Sequence, residues 1–479
     1  MSSFGGLSTA LSSLYAQRRG LDVTGQNIAN ANTEGYSRQR VDMQAIGGTA
    51  VPAMYSVWNG AGAGVSVTDV TRLRDGFLDE RGRIEHAQLA NLTGSQRILD
   101  RLEQVFNEPS DTGLQSQLAD LWSGWDDLAN RPSDLAARTQ LLQSAEGVAT
   151  TLRNAHTTLA SLWSTTRGQL DAQISEINSI AGTVADLNQA VVRANLAGLP
   201  ANEFADQRDQ LVLRLAELAG ARAVPRDNGA VEVLLGGSSL VSGGRVSALE
   251  VVGATRMQDQ DLSEVTIRWA GNQAAVTVSS GEVAAALKSL SSTLPTYADG
   301  LDQVALNLAD VVGTAHQAGY DLDGLAGEPF YAFGDPTRPA ATIGLAITDP
   351  RRIAASTTFV TDPDTGLISG DRGGGNAAAI AAFATGVIDP TDPTRLGPDA
   401  VYRQLVVGLG VAAQSVNRQA DIQNVIVRGV DGSREAASGV SLDEEMTNLL
   451  SYQRAYEAAT RVIATIDSTF DDLFNMIRR

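Results

Sequence analysis

The feature that most constrains this chain is a stripe of apolar residues, spaced three or four apart, that runs through its last 40 or so positions. The stripe follows Ser441 and Glu444, whose S-x-x-E spacing is the capping box of a helix start. Its members are Leu442, Met446, Leu449, Tyr452, Tyr456, Ala459, Ile463, Ile466, Phe470, Leu473 and Ile477. With one interruption this is heptad spacing, so the sequence predicts one amphipathic helix that must bury its stripe against another element.

A second heptad stripe, here called the leucine stripe, occupies the other end of the chain. It consists of Phe4, Leu7, Leu11, Leu14, Leu21 and Ile28, with Arg18 and Gly25 at the remaining positions. Asn30 and Asn32 favour a helix end, and Gly35 supplies a residue that tolerates positive φ before an extended stretch at 37–41. We expect the two stripes to pair as a coiled coil. Two interpretations stay open: a helix pair that closes one globular domain, or a module that also packs on neighbouring subunits.

The middle of the chain changes from helical to β-rich and back. The sequence divides into a terminal coiled-coil and assembly domain with an extended linker (1–75 and 426–479), a helical-bundle body (76–221 and 282–425) and a small inserted β domain (222–281). Short β-branched runs punctuated by glycine mark the β domain, and 319–400 is a turn-rich part of the body. The predicted fold is therefore mainly α with a β insertion. We expect an elongated multidomain rod with its terminal helices paired.

Composition and charge exclude several functions. The formal net charge is −19, whereas nucleic-acid binding needs clustered cations, so we expect no nucleic-acid partner. The absence of cysteine removes disulfides, thiolate nucleophiles and Cys-based zinc sites. No apolar run is long enough to cross a membrane, and the N-terminal residues lack the pattern of a cleaved secretory signal. We therefore expect no membrane insertion.

No arrangement of residues points to catalysis. The three histidines, His86, His156 and His316, are far apart in the sequence and are predicted to lie on helix surfaces. Adjacent acids such as Asp126–Asp127 and Glu444–Glu445 point to different helix faces, which favours solvated side chains. Neither a G-x-S-x-G nor an S-x-x-K arrangement occurs. We expect a protein that is not an enzyme and that carries no cofactor or metal.

Five segments carry a resemblance to a known family. Residues 27–39, N-I-A-N-A-N-T-E-G-Y-S-R-Q, resemble the N-terminal signature of the bacterial flagellar rod, hook and hook-associated proteins. The Tyr-Ser-Arg-Gln continuation is similar to the junction-forming hook-associated members, since rod and hook proteins usually have Gly-Phe followed by Lys there. The further matching segments are Trp122–Asp134, Asn202–Asp209, Ser438–Met446 and Gln453–Tyr456. The resemblance covers both termini and the helical body and is weakest in 222–281 and 319–400.

This resemblance implies a structural adaptor that joins the flagellar hook to the filament as a ring of subunits. It implies the hook protein on one side, the second junction protein on the other, and an export chaperone at the C-terminal helix. It also implies an extracellular place in the flagellum after export without a cleaved signal.

The residues predicted to serve assembly are Leu7, Leu11, Leu14, Leu21, Ile28, Asn27, Asn30, Asn32, Gly35, Tyr36, Arg38, Leu442, Met446, Leu449, Tyr456, Ile463, Ile466, Phe470, Leu473 and Ile477. Two alternatives stay open: another flagellar axial protein, such as the hook protein or the second junction protein, or a flagellum-associated hydrolase with an active site in 319–400.

Overall fold

A computed structural model describes residues 3–47, 62, 64–364, 368–386, 388 and 395–477. The helices are α1 (Ser3–Ala29), α2 (Gly76–Phe106), α3 (Leu114–Asn130), α4 (Leu135–Leu196), α5 (Asn202–Ala219), α6 (Gly281–Lys288), α7 (Leu294–Gln317), α8 (Pro339–Thr342), α9 (Gly375–Ala381), α10 (Pro398–Ser438) and α11 (Leu442–Ile477). The strands are β1 (Gln39–Ile46), β2 (Gly64–Arg72), β3 (Arg222–Pro225), β4 (Val231–Leu235), β5 (Ser238–Ser242), β6 (Arg245–Val246), β7 (Leu249–Val252), β8 (Thr266–Trp269), β9 (Tyr331–Phe333), β10 (Ile343–Leu345), β11 (Phe359–Thr361) and β12 (Ile368–Gly370).

The first and last helices lie antiparallel and, together with the hairpin of β1 and β2, form a unit that we call the terminal module. Gly20 of α1 lies against the ring of Tyr452 on α11. One heptad further along α1, Asn27 donates to Glu445, one heptad earlier on α11. The predicted pairing of the terminal helices is therefore confirmed.

The hairpin covers a different face of α1. Its strands pair antiparallel, with a shift of register between Asp42 and Met43. Val23 of α1 packs on Val41 and Val70 in a small apolar cluster of its own. The hairpin thereby fixes α1 from the side that α11 does not reach.

The closest contacts of α1 with α11 are made by small and polar residues: Gly6 lies against Ile466, Gly20 against Tyr452, and Asn27 donates to Glu445. The heptad through the contact residues consists of Gly6, Ala10, Ser13, Gln17, Gly20, Thr24 and Asn27. A Cβ on Gly20 would lie 2.8 Å from the Tyr452 ring, so glycine is needed for this close approach. The prediction placed the seam on the leucine stripe, whose members follow these positions by one residue, about 100° round the helix. The leucine stripe therefore lies beside the seam.

On α11 the predicted stripe faces inward over most of its length. From Leu449 to Phe470 its members are partly buried, and Ala459 is fully buried, whereas most other residues of this helix are exposed. The side chains of three stripe members lie outside the described part of the structure; these are Phe4 on α1 and Leu473 and Ile477 on α11.

The first turn of α11 departs from the prediction. Leu442 and Met446 are 52 % and 50 % exposed, while Glu445 is only 2 % exposed. Glu445 takes the inward position because Arg38 and Asn27 supply it with donors. The prediction that the Glu444–Glu445 pair is solvated is therefore wrong for Glu445. The helix does begin at Leu442 as the capping box predicts, with the Glu444 N–H 3.5 Å from the Ser441 hydroxyl.

The helical body surrounds one large apolar core to which α2, α3, α4, α7 and α10 contribute. Trp163 is fully buried, and its indole N–H donates to the Leu290 carbonyl at 3.0 Å. Trp122 ties α3 to the start of α10 through Asp399, at 2.9 Å. These polar contacts satisfy aromatic N–H groups that would otherwise be stranded in the core.

The inserted strands lie against α4. Strands β3 to β6 form an antiparallel sheet in sequence order, and β7 pairs with β8. Two asparagines of α4 hold both sheets: Asn188 exchanges hydrogen bonds with the backbone of Val231, and Asn178 does so with Leu249. The predicted mainly helical fold with antiparallel strands inserted mid-sequence is thus confirmed.

The histidines are placed differently from the prediction. His316 is fully buried, with Nδ1 2.6 Å from the Glu328 carbonyl and Nε2 accepting from the Ala354 N–H at 2.8 Å. Burial lowers the pKa of His316 to about 4 and also lowers the pKa of His156. The helix-surface prediction is therefore wrong for these two, and only His86 is partly exposed.

Candidate assembly site

Asn27 is the centre of the best-connected polar cluster in the terminal module. Its Nδ2 donates to the Gln39 carbonyl at 2.9 Å and to Glu445 at 3.1 Å. Its Oδ1 accepts from the Tyr36 hydroxyl at 2.8 Å and from the Gln39 N–H at 3.0 Å. Asn27 is 1 % exposed, so each of these bonds is shielded from water. One amide thus joins α1, β1 and α11.

The turn after α1 brings Tyr36 back to this cluster. Gly35 has φ of +76°, the left-handed conformation that the sequence predicts for it. The Gln210 side chain of α5 donates to the Glu34 carbonyl and fills the space where a Cβ on Gly35 would lie. Burial, helped by the nearby charges of Asp206 and Glu445, raises the pKa of Tyr36 to about 12, so its hydroxyl stays a donor.

The other two asparagines of the signature have lesser parts. Asn30 donates to the Gln26 carbonyl at 3.0 Å and accepts from the Thr33 hydroxyl at 3.2 Å, which closes the end of α1. Asn32 is exposed. In the signature at residues 27–39, Asn27 is therefore the asparagine that is buried, and the turn after α1 brings Tyr36 into hydrogen-bond contact with it.

Arg38 joins the turn to the start of α11. Its Nε donates to Glu445 at 2.7 Å and its Nη1 to Glu444 at 2.6 Å, while its backbone N–H donates to the Ser438 carbonyl at 3.0 Å. Partial burial lowers the pKa of Arg38, but the two carboxylates raise it by more. Arg38, Asn27, Tyr36, Glu444 and Glu445 together form what we call the terminal clamp.

Two aspartates of α5 fasten the hairpin to the helical body. Asp206 accepts from the Ser37 hydroxyl and from Arg72, both at 2.8 Å. Asp209 accepts from Arg72 at 2.9 Å and also from Arg74. At the start of α5, Asn202 adds a hydrogen bond to the Val70 carbonyl at 2.8 Å. These bonds set the direction in which the terminal module leaves the body.

The charge network continues into α2 and α10. Asp79 of α2 pairs with Arg74 at 2.8 Å and with Arg434 of α10 at 3.2 Å. Burial raises the pKa of Asp79, but the hydrogen bond and charge of Arg74, with those of Arg434, lower it by more. Partly buried ion pairs of this kind resist salt better than exposed ones. The joint between module and body is therefore electrostatic, in contrast to the apolar core of the body.

The leucine stripe is an apolar surface of α1 that is only partly covered in the single chain. Leu11 is 38 % exposed, and Leu7, Leu14, Leu21 and Ile28 are partly buried. The stripe lies on a helix whose two other faces are taken by the hairpin and by α11. It is thus a surface through which α1 could bind a third element.

Sequence reasoning missed Asp206, Asp209, Arg72 and Arg74 as joint residues. A signal was present: Asn202, Asp206 and Asp209 fall on one face of a helix, and Arg72 and Arg74 project to the same side of an extended segment. Neither the acidic face of α5 nor the two arginines indicates a joint by itself, because the sequence does not show that they lie next to each other in the fold.

Within the described ranges, no helix is long and apolar enough to cross a membrane. Nor do the side chains of that part of the chain place three His, Asp or Glu residues where they could hold a metal ion.

Three family models match separate parts of the chain. The flagellar hook-associated protein FlgK helical domain matches residues 99–331. The flagellar basal body rod FlgEFG protein C-terminal model matches residues 434–476, and the flagella basal body rod protein model matches residues 7–36. The two rod-protein models thus cover the helices of the terminal module.

Curated relatives match over nearly the whole length. Flagellar hook-associated protein 1 of Bacillus subtilis is 29 % identical over 516 residues, covering 99 % of this chain and 98 % of the relative. The protein of the same name from Escherichia coli is 25 % identical over 552 residues, covering 98 % and 99 %. A solved structure, the flagellar hook junction protein FlgK from Burkholderia pseudomallei, aligns with a TM-score of 0.63 at 16 % identity, over 74 % of this chain and 99 % of that one.

Proposed function

We propose that this chain, which is similar to flagellar hook-associated proteins over nearly its whole length, is a structural component of the flagellar axis and joins the hook to the filament. In this proposal several copies stand side by side as a ring, with their terminal modules parallel and in contact. The proposed role is mechanical and needs no catalytic residue.

One observation supports the proposal most directly: the terminal module is complete within one chain and yet leaves Leu11 exposed and the rest of the leucine stripe only partly buried. The seam of α1 is filled by α11 and its flank by the hairpin. Burying an exposed leucine or isoleucine contributes about 1.5–3 kcal/mol. Because the stripe repeats along three heptads and most of its members are already partly buried, a second copy lying alongside would gain part of this amount at each of several positions.

The proposed binding partners are those expected for a protein similar to flagellar hook-associated proteins. We propose the hook protein on one side of the ring, the second junction protein on the other, and an export chaperone that binds α11 before assembly. The proposal also includes export without a cleaved signal to an extracellular place in the flagellum. It keeps the domain division predicted from the sequence, with 1–75 and 426–479 as the assembly part.

A double variant of the leucine stripe tests the proposal. Leu11→Asp combined with Leu21→Asp places two charges on the stripe and leaves the seam and the clamp untouched. In a strain that lacks its own copy of the gene, the double variant should support hooks but shed flagellin into the medium. Because Leu21 is partly buried, the purified variant should melt somewhat below the parent chain, and a retained cooperative transition shows that it is still folded.

The matched control is Gln26→Asp, an exposed position on the same helix away from the stripe. It should keep long, attached filaments. Attached filaments with the double variant would contradict the leucine stripe as the contact. A deletion strain without hooks would favour the hook protein instead, because a junction protein is needed only after the hook is built.

A further inference from the structure

His86 of α2 lies between carboxylates from two other helices. Its Nε2 is 3.0 Å from Asp431 on α10, and its Nδ1 is 3.4 Å from Glu217 on α5. A neutral imidazole has one N–H donor and one lone pair, whereas the protonated ring has two donors. Only the protonated ring can therefore donate to both carboxylates. A neutral ring presents its lone pair to one of them.

The carboxylates around His86 are fixed by their own partners. Asp431 is paired with Arg434 at 3.3 Å, and Glu217 with Arg214 at 3.4 Å. Other charged groups on α2 and on the elements packed against it include Glu176 on α4, Glu282 on α6, Arg222 on β3, Arg428 and Glu435 on α10, and Asp79, Glu80, Arg81, Arg83 and Glu85 on α2. Because Asp431 and Glu217 are held in place, neither can turn away from a neutral ring without breaking an ion pair.

The electrostatics agree with the geometry. The close contact with Glu217 and the hydrogen bond and charge of Asp431 raise the pKa of His86, against the opposing effect of burial. The same contact lowers the pKa of Glu217, which is therefore ionised where His86 titrates.

The site is connected to the joint that holds the terminal module. Arg434 contacts both Asp431 and Asp79, and Asp79 binds Arg74 at the end of the hairpin. The helices that meet at His86 are also those that anchor the module: α5 through Asp206, α10 through the Ser438 carbonyl and α2 through Asp79. A change at His86 therefore acts on every body helix that binds the module.

We propose that His86 is a proton-operated latch, which holds α5 and α10 on α2 when it is protonated and loosens the joint when it loses its proton. Since the folded chain binds this proton more tightly than the unfolded chain, the stabilisation is complete below the ordinary histidine pKa of about 6.5. It is lost as the pH rises through the higher folded-state pKa.

Histidine NMR on the full-length chain, labelled with ¹³C at histidine Cε1, tests the first step. One of the three histidine signals should titrate with a midpoint above the ordinary value of about 6.5 and should vanish in His86→Gln. The signals of the two buried histidines should titrate below that value. Asp431→Asn and Glu217→Gln should each lower the midpoint of the His86 signal. A His86 midpoint at or below the ordinary value would overturn the proposal.

Urea unfolding tests the latch itself. Between about pH 6 and about pH 8.5, loss of the His86 proton should lower the unfolding midpoint of the parent chain; this fall is measured as the difference between the parent chain and His86→Gln, because the buried His316 and His156 change stability in the opposite sense near pH 6. His86→Gln should lose most of that fall, while the control His156→Gln should retain it even if its midpoint is lower throughout. An equal fall in His86→Gln and the parent chain would refute a latch at this residue.

Discussion

Replacing Asn27 by aspartate changes one atom of the terminal clamp and tests whether that clamp holds the module together. The Oδ1 atom can still accept from Tyr36 and from the Gln39 N–H. The Nδ2 atom becomes an oxygen that faces the Gln39 carbonyl at 2.9 Å and the Glu445 carboxylate at 3.1 Å. Two attractive contacts are thereby turned into two repulsive ones without a change of shape.

The size of the effect follows from these contacts. Losing a hydrogen bond to a charged group costs about 1.5–3 kcal/mol, and losing a neutral one costs about 1 kcal/mol. Two carboxylates in contact repel by several kcal/mol even at an effective dielectric constant of about 20. Taking up a proton limits the repulsion to about 4 kcal/mol at neutral pH, which is the cost of protonating an ordinary aspartate there. We therefore expect the module to be destabilised by about 3–5 kcal/mol.

Hydrogen exchange of the full-length chain, read by mass spectrometry, measures this locally. At neutral pH, exchange in 36–46 and 64–72 should speed up at least about 100-fold, whereas α4 should be unaffected, because a loss of 1.4 kcal/mol is about a factor of ten. The difference should shrink as the pH falls towards about 4, where one carboxyl of the new pair is protonated. Asn32→Asp, an exposed change in the same turn, is the control. Unchanged exchange in the hairpin at neutral pH would show that Asn27 does not hold the module.

Three further predictions concern the turn, the joint and the core. In a urea titration, Gly35→Ala should lower the free energy of unfolding of the terminal module by about 1–3 kcal/mol, because alanine disfavours positive φ. The control Gly25→Ala, at an open position on α1, should be neutral or slightly stabilising in the same titration. Asp206→Asn should cost about 1.5–3 kcal/mol and speed hairpin exchange, because it weakens the bonds from the hairpin to α5, while the exposed change Asp186→Asn should do neither. Because burial depresses the folded-state pKa of His316 to about 4, the free energy of unfolding should fall as the pH drops from about 6.5 to about 4, with on the order of 3 kcal/mol coming from this group. A urea midpoint of the parent chain that stays constant over that range would contradict the burial of His316 as a neutral imidazole.

Local signals in the sequence predicted several details of this structure. The S-x-x-E spacing at Ser441 marks the first turn of α11, and a glycine after an asparagine-rich helix end marks the positive φ at Gly35. Glycine-punctuated β-branched runs mark the strands between 222 and 269. Each of these depends on residues that are close in sequence, so no knowledge of the tertiary fold is needed.

The errors arose where the determining neighbour is remote. A search for large apolar residues finds the leucine stripe and overlooks the small residues Gly6 and Gly20, whose role is seen only when Ile466 and Tyr452 of α11 lie against them. A glutamate in the first turn of a helix is ordinarily solvated. Glu445 is buried because Arg38 reaches it from the far end of the sequence.

The two halves of the terminal clamp are far apart in the sequence, and this separation bears on the order in which the body and the clamp can form during folding. Asn27 and Glu445 are 418 residues apart, and the whole helical body lies between them. The core of that body joins α2–α4 to α7 and α10, and none of the described side chains of α1 or α11 belongs to it, so the body can fold while the ends are still separate. The clamp can therefore close after the body, with much of its loop-closure entropy already lost in forming the body. A chain that stops short of Leu442 would keep α1 against the hairpin but would lack α11 and the two glutamates of the clamp. Closure of the clamp therefore requires both ends of the chain to be present.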